Sequence, residues 1–332
     1  MTGITGFSAE EKMPSIKNVL YYGDNLDILR NKIQSETIDL CYIDPPFNSK
    51  RDYFYNNQGS EEHTQAFADT WEWGDEAVEE YEYITDVTHL NNGTFTIQTV
   101  ELVKGLHNVL GKGPLLAYLV SMTLRIVEIH RALKSTGSFY LHCDTTASHY
   151  LKLVLDSIFC SQHGKFLNEI IWHYTGGGRS KTYYSKKHDS IFWYAKGKNW
   201  TFNADSIRIP YKKTSGYAKG GITSASGKRY SPNPLGTVPD SVWDIPIINP
   251  LSNERLGYPT QKPESLLERI ILAASNPGDL VADFFCGSGT TAVVAERLGR
   301  SWLLCDKASL AVQATAKRLA AQSTAPYLYN SV

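Results

Sequence analysis

Cysteine is sparse and falls into no pairing pattern. The five residues Cys41, Cys143, Cys160, Cys286 and Cys305 contain no C-x-x-C spacing. An odd number of isolated thiols, mostly amid apolar neighbours, argues against a disulfide framework and a thiolate zinc site, and for reduced, buried thiols. The nine histidines also lack ligand spacing, so no metal is expected. Long apolar runs are absent as well: nothing approaches a stretch of about 18 residues that could span a membrane. Residues 1–15 mix Glu, Lys, Gly and Pro without an apolar core, so no secretory leader and no membrane partner are expected. Glycine at 25 and proline at 14 are too few for a fibrous or low-complexity chain. Net charge is nearly zero, at −1, which puts any partner information into the local distribution of charge.

What remains is an ordinary globular composition, 42% hydrophobic and 20% charged over 332 residues. That length suits one large α/β domain with a sizeable insertion, or two domains sharing a cleft. Strands are expected at 18–22, 38–43, 138–143, 168–174, 280–285 and 301–305. Helices are expected at 25–32, 115–133, 150–159, 264–275, 292–298 and 309–321, with Pro263 in the first turn of the fourth. Strand–helix alternation of this kind predicts a parallel, doubly wound, Rossmann-like sheet with helices on both faces.

Two segments break the even charge. Residues 61–90 hold ten acids and no Lys or Arg. The simplest expectation for them is a solvated helical face, with a lid or a subunit contact as alternatives. Residues 172–230 hold twelve Lys and Arg against Asp189 and Asp205 alone, with aromatics and glycines interleaved. They read as an inserted, loop-rich basic module.

Two motifs carry chemistry. In Asp283-Phe284-Phe285-Cys286-Gly287-Ser288-Gly289-Thr290-Thr291, a strand meets a glycine turn and then a helix. Such a unit lets a nucleoside-containing cofactor approach bare backbone, and is otherwise a plain tight turn. Asp306 ends the next strand, where an acid can take two ribose hydroxyls. The glycines match neither a dinucleotide fingerprint nor a phosphate-binding P-loop. The second motif, Asp44-Pro45-Pro46-Phe47, stiffens the chain directly after a buried strand. It fixes a carboxylate, carbonyls and an aromatic face where α/β proteins bind ligands, and suits an amino group on a planar base.

Taken together, these motifs resemble the amino-group DNA methyltransferases that use S-adenosylmethionine. Their order, with the quartet first, a basic insert, and the cofactor loop last, is similar to the permuted group called the β class. Tyr258-Pro259-Thr260-Gln261-Lys262-Pro263 looks like that group's cofactor-pocket motif, and Gly23-Asp24-Asn25 like its adenine-contacting turn. The resemblance implies a methyltransferase sheet divided as 18–172 (catalytic half), 173–255 (recognition insert) and 256–322 (cofactor half).

Residue by residue, it implies that Asp44 and the Pro45 carbonyl orient the target amino group, with Pro46 stiffening the turn and Phe47 stacking on a flipped base. Asp283, Phe284, Phe285, Cys286, Gly287, Ser288, Gly289, Thr290 and Thr291 would surround the methionine part of the cofactor. Asp306 would hold the ribose, Asp24 with Asn25 the adenine, and Lys262 beside Thr260 the cofactor carboxylate.

An Asp in the first quartet position is typical of N6-adenine methylation. N4-cytosine, RNA and protein-amide methylation remain alternatives. No Cys follows Pro, so carbon-5 cytosine chemistry is not expected. Arg179, Lys181, Lys186 and Lys187 are expected to contact duplex DNA. Further expected partners are a restriction endonuclease and a second copy of the chain, in the prokaryotic cytoplasm. His142, close in sequence to Asp144, is expected to be structural.

Overall fold

The computed structural model describes residues 18–48, 51–56, 63–176, 178–322 and 325–331. The leader reading of residues 1–15, Glu61 and Glu62 of the acidic run, and Gly177 lie outside them.

In chain order, β1 (Asn18–Tyr22), α1 (Asn25–Lys32) and β2 (Ile38–Ile43) come first. A ribbon of β3 (Arg51–Asn56) and β4 (His63–Asp69) follows. Then come α2 (Asp75–Thr85), α3 (Val87–Asn91), α4 (Ile97–Leu110), α5 (Pro114–Ala132), β5 (Leu133–Cys143) and α6 (Ser148–Phe159). Next are β6 (Lys165–His173), β7 (His188–Ala195), α7 (Gly216–Gly220), the short β8 (Ile222–Thr223) and β9 (Arg229–Tyr230), and β10 (Val242–Asp244). The chain closes with α8 (Glu264–Ala274), β11 (Leu280–Asp283), α9 (Thr290–Arg297), β12 (Ser301–Asp306), α10 (Ser309–Ala321) and β13 (Tyr327–Ser331).

Nine strands form one sheet in the order β10-β6-β7-β5-β2-β11-β12-β1-β13. The expected α/β architecture is present, with helices on both faces. Alternation in β2 explains the two layers: Cys41 and Ile43 face the core under α1, α4, α5 and α6, while Leu40 and Tyr42 face the core under α8, α9 and α10. The sheet is not wholly parallel, however. β7 runs antiparallel to both β5 and β6.

β7 also revises the expected insert. His188–Ala195 and Val242–Asp244 lie within 173–255, yet both are strands of the central sheet. Basic residues disguise β7 in the sequence, but from Ser190 to Ala195 it is buried. What leaves the sheet is the 174–187 loop and the longer excursion 196–241. Pro263 sits one position before α8 as its cap, in extended conformation, rather than in its first turn.

The parallel strands β2, β11, β12 and β1 bring Asp44, Asp283, Asp306 and Asp24 to one edge of the sheet. β6 is parallel to β5 through their shared antiparallel neighbour, so the 174–187 loop leaves at that same edge.

Candidate active site

At this edge lies a cavity of about 750 Å³. Its wall includes Asp24, Asn25, all of Asp44 to Phe47, Thr260, Lys262, Asp283 to Ser288, Thr290, Thr291 and Asp306. The two motifs, far apart in sequence, therefore share one chamber. Gly289 is the exception among the residues expected there. A side chain at Gly289 would meet Thr315 at 2.7 Å, and its φ of +73° suits glycine, so it serves the packing of α9 on α10 rather than the chamber wall.

The glycine loop is fixed by its neighbours. Gly287 N–H donates to Asp306 at 2.9 Å, and the Ala308 N–H takes the other Asp306 oxygen at 2.9 Å. Asp283 accepts from Thr291 Oγ1 at 2.6 Å and from the Phe285 N–H at 3.0 Å. Burial nevertheless pushes the Asp283 carboxyl up to about 7, helped by the charges of Asp44 and Asp306 and opposed by those hydrogen bonds. Burial also raises Asp306, against the N–H groups of Ala308 and Gly287.

On the opposite wall, Lys262 Nζ pairs with Asp44 Oδ2. The resemblance had pointed Lys262 at a cofactor carboxylate; in the structure its partner is the quartet. Asp44 Oδ1 is buried and accepts no hydrogen bond among the described residues. Thr260, just before Lys262, has φ +60°, which is costly for a β-branched residue and marks a strained turn beside the chamber.

The acidic segment is no solvated face alone. Asp69, 1% exposed, accepts the backbone N–H of Phe47 at 3.2 Å and of Asn48 at 2.6 Å, holding the quartet's last residue in place. Asn48 takes the left-handed φ of +60° that Asn tolerates, turning the chain away behind Phe47. Trp71, Glu72, Asp75, Glu76 and Glu80 line the same cavity.

Arg125 ties this segment to α1. Its Nε donates to Asn25 Oδ1 at 2.7 Å and its Nη2 to Asp24 Oδ2 at 3.1 Å, while Nη1 lies 3.4 Å from Glu80 Oε1. Burial raises Glu80, and Arg125 works against that rise. Sequence reasoning passed over Asp69 and Arg125. The available signal for Arg125 was a lone Arg in the apolar stretch LLAYLVSMTLRIV; Asp69 was hidden among other acids.

Arg179 and Lys181 are exposed in the 174–187 loop, as is Lys186, while Lys187 is half-buried with its amine on the Gly176 carbonyl. Tyr183 and Tyr184 beside them are 68% and 99% exposed. His142 pairs with Asp189 rather than Asp144. Four of the five cysteines are buried thiols, and Cys160 is exposed. Among the described residues no His, Cys, Asp or Glu group could hold a metal ion, and no helix is long and apolar enough to cross a membrane.

Comparisons with known proteins agree with this arrangement. DNA adenine methyltransferase YhdJ of Escherichia coli (strain K12) is 38% identical over 182 residues, covering 54% of this chain and 58% of that one. Type II methyltransferase M1.MboII of Moraxella bovis is 42% identical over 156 residues, 42% of this chain and 57% of that one. The chain thus spans a little under three-fifths of the length of these relatives. Among solved structures, PvuII DNA methyltransferase (cytosine-N4-specific) shares the fold, with a TM-score of 0.54 at 18% identity over 91% of this chain and 86% of that one. A DNA modification methylase of Thermus thermophilus, complexed with S-adenosyl-L-methionine, has a TM-score of 0.51 at 17% identity, over 95% and 99% of the two chains. The DNA methylase family model (N6_N4_Mtase) matches residues 38–317, a span that takes in the buried strand, the Asp-Pro-Pro-Phe turn and the glycine loop together, and the chain belongs to that family.

Proposed function

We propose that the chain is a site-specific DNA methyltransferase that moves the methyl of S-adenosylmethionine to the exocyclic N6 of an adenine flipped out of duplex DNA. The observation that carries this reading is the Asp44 carboxylate, with one oxygen on Lys262 and the other buried and unpartnered, beside the glycine loop in one chamber. A buried acceptor left open is costly unless a ligand completes it, and an amino N–H does so.

The wall suits the cofactor. S-adenosylmethionine presents two cationic centres, and Asp24, Asp283, Asp306 and Glu80 give the chamber an excess of carboxylates. Asp306 is set for the ribose, Asp24 and Asn25 for the adenine, and Asp283 with the Phe284–Ser288 backbone for the methionine part. When bound, the cofactor supplies an electrophilic methyl on a sulfonium. The protein's part is to aim the acceptor: Asp44 and the Pro45 carbonyl take the two N–H bonds and localise the nitrogen lone pair, while Phe47, pinned by Asp69, stacks on the ring. Such aimed contacts are worth about 10²–10³ in rate each.

The 174–187 loop, with Arg179, Lys181, Lys186 and Lys187, supplies phosphate contacts at the edge where the base enters. The permuted motif order, the division at 173 and 256, a partner endonuclease, a second copy of the chain and work in the prokaryotic cytoplasm belong to the same proposal. The test is incubation with methyl-labelled S-adenosylmethionine and DNA from a methylation-free host, then digestion to nucleosides and mass spectrometry. N6-methyladenine is the expected product. N4-methylcytosine would move the target base, and label found in RNA or protein but not DNA would overturn the proposal.

A further inference from the structure

Behind Asp44 stands a buried pair that the function described above leaves unused. His142 on β5 is fully buried, and its Nε2 lies 3.1 Å from Asp189 Oδ2 on the antiparallel strand β7. Tyr174 at the end of β6 donates to the other Asp189 oxygen at 3.2 Å. Burial works against the Asp189 carboxylate, yet His142, Lys262 and Tyr174 hold it below the ordinary carboxylate value. On the far side of the ring, His142 Nδ1 is 2.9 Å from the Tyr42 hydroxyl and 3.8 Å from Asp44 Oδ1, the oxygen without a partner. The imidazole also stands 5.8 Å from the Phe47 ring and edge-on to Trp172 at 5.4 Å.

An ionised carboxylate only accepts, so Asp189 fixes the imidazole proton on Nε2 and leaves Nδ1 as a lone pair. That lone pair belongs to a basic nitrogen beside Asp44 Oδ1. The titratable or charged groups facing the ring are Tyr42 and Asp44 from β2 and its turn, Asp189 from β7 and Tyr174 beyond it, and Lys262 from the turn before α8.

We propose that His142, held by Asp189, takes from Asp44 the proton that the methylated amino group sheds, and so restores Asp44 for the next turnover. The proposal rests on the function argued above. An amino nitrogen that has used its lone pair for a new N–C bond is cationic and must lose one proton. The N–H bond breaks, its electron pair returns to nitrogen, and the proton bonds to Asp44 Oδ1. Lys262 on Oδ2 favours the ionised form of Asp44, so the proton moves on to His142 Nδ1. The imidazolium is compensated by Asp189, and the Tyr42 hydroxyl turns from donor to acceptor. The 3.8 Å gap fits a free enzyme, where such contacts are commonly long and tighten with substrate. His142 does not touch the reacting nitrogen; it acts through Asp44 and is a positioning residue.

Two readouts test this. Long-range ¹H–¹⁵N spectra of the ligand-free protein should give His142 as the Nε2–H tautomer; an Nδ1–H tautomer would overturn the relay without any turnover being measured. Single-turnover methylation of duplex DNA across about pH 5 to 8, the range in which histidine titrates, gives the second. The wild-type rate should fall on the acid side, because protonated His142 cannot accept. His142→Asn should run about 10²-fold slower with that acid limb gone, and DNA and cofactor binding should be unchanged. An equal loss at every pH with the limb retained would make His142 a packing residue and overturn the proposal. Asp189→Asn should also remove the limb, and carries the test if His142→Asn fails to fold. Asp44→Ala run in parallel separates the two readings. If it retains transfer, the proposed function fails and the relay with it. If it is inactive while His142→Asn keeps the wild-type rate and limb, the relay alone fails.

Discussion

The acidic and basic segments look symmetrical in the sequence, each a long run of one sign, yet the structure uses them in opposite ways. The acidic one folds back onto the chamber. Asp69 holds Phe47 and its neighbour through two backbone N–H groups, and Glu80 is engaged by Arg125, which also binds Asp24 and Asn25. The basic one is divided by its own strand. Its middle, β7, is buried in the sheet, and Lys196 at the end of β7 spends its charge on the Leu133 carbonyl at 2.6 Å. Arg208 is likewise held by Asp205 and the Gly236 carbonyl. What remains outward at the active edge is the 174–187 loop. A run of like charge therefore says little about solvation until the fold decides which of its members find partners.

The sharpest way to probe this difference is to compare residues on either side of it. Asp44→Ala sets the ceiling: methyl transfer should fall by at least about 10²–10³, with cofactor affinity nearly unchanged, as single-turnover rates and calorimetry together would reveal. Next comes Asp69→Ala, the acidic segment's contribution. Releasing the Phe47 turn should cost up to about 10² in rate, in a protein that still melts cooperatively. A rate equal to wild type would return the segment to a solvated face. Asp306→Ala should weaken cofactor binding by roughly 1.5–3 kcal/mol, the usual worth of a charge-assisted hydrogen bond, with unchanged affinity as the contrary result.

The basic loop should give a smaller and differently shaped effect. Neutralising Lys186 and Lys187 together should weaken cognate and non-cognate duplexes alike. The slope of log K against log salt should become shallower by about one for each phosphate contact removed. An unaltered slope would mark these lysines as solvated. The mildest prediction concerns protons. The Asp283 carboxyl, raised to about 7 by burial, is largely protonated in the ligand-free chain below that pH. Its contribution to stability is present at low pH and lost as pH rises through about 7. A cationic ligand favours the charged form, so binding near pH 6 should release a proton, and near pH 8 should not. Calorimetry in buffers of different ionisation heat measures this, and Asp283→Asn should abolish it.

Both chemical motifs were legible because each is local. Asp44–Phe47 and Asp283–Thr291 are contiguous runs whose backbone chemistry can be read residue by residue, and the alternation in β2 and the apolar helices announced the layers. β7 was not legible, since lysines on either side masked a short apolar strand, and no local signal tells a chain to run antiparallel in a sheet otherwise read as parallel. Gly289 was assigned to the chamber with the rest of its motif, although its conformation serves the packing of α9 on α10. His142 was set beside Asp144 because sequence distance was the only distance available.

The sequence by itself determined the α/β class, the two motifs and the strand ends on which they sit, since hydrophobic period, proline stiffness and glycine freedom act over a few residues. Tertiary structure alone decided that Lys262 meets Asp44, that Asp69 holds Phe47, that Arg125 joins the acidic helix to α1, and that Asp189 rather than Asp144 faces His142. Each of these pairs joins residues far apart in the chain. Such a partner is set by strand order and register, which bring two side chains within a few ångströms only after the sheet has closed.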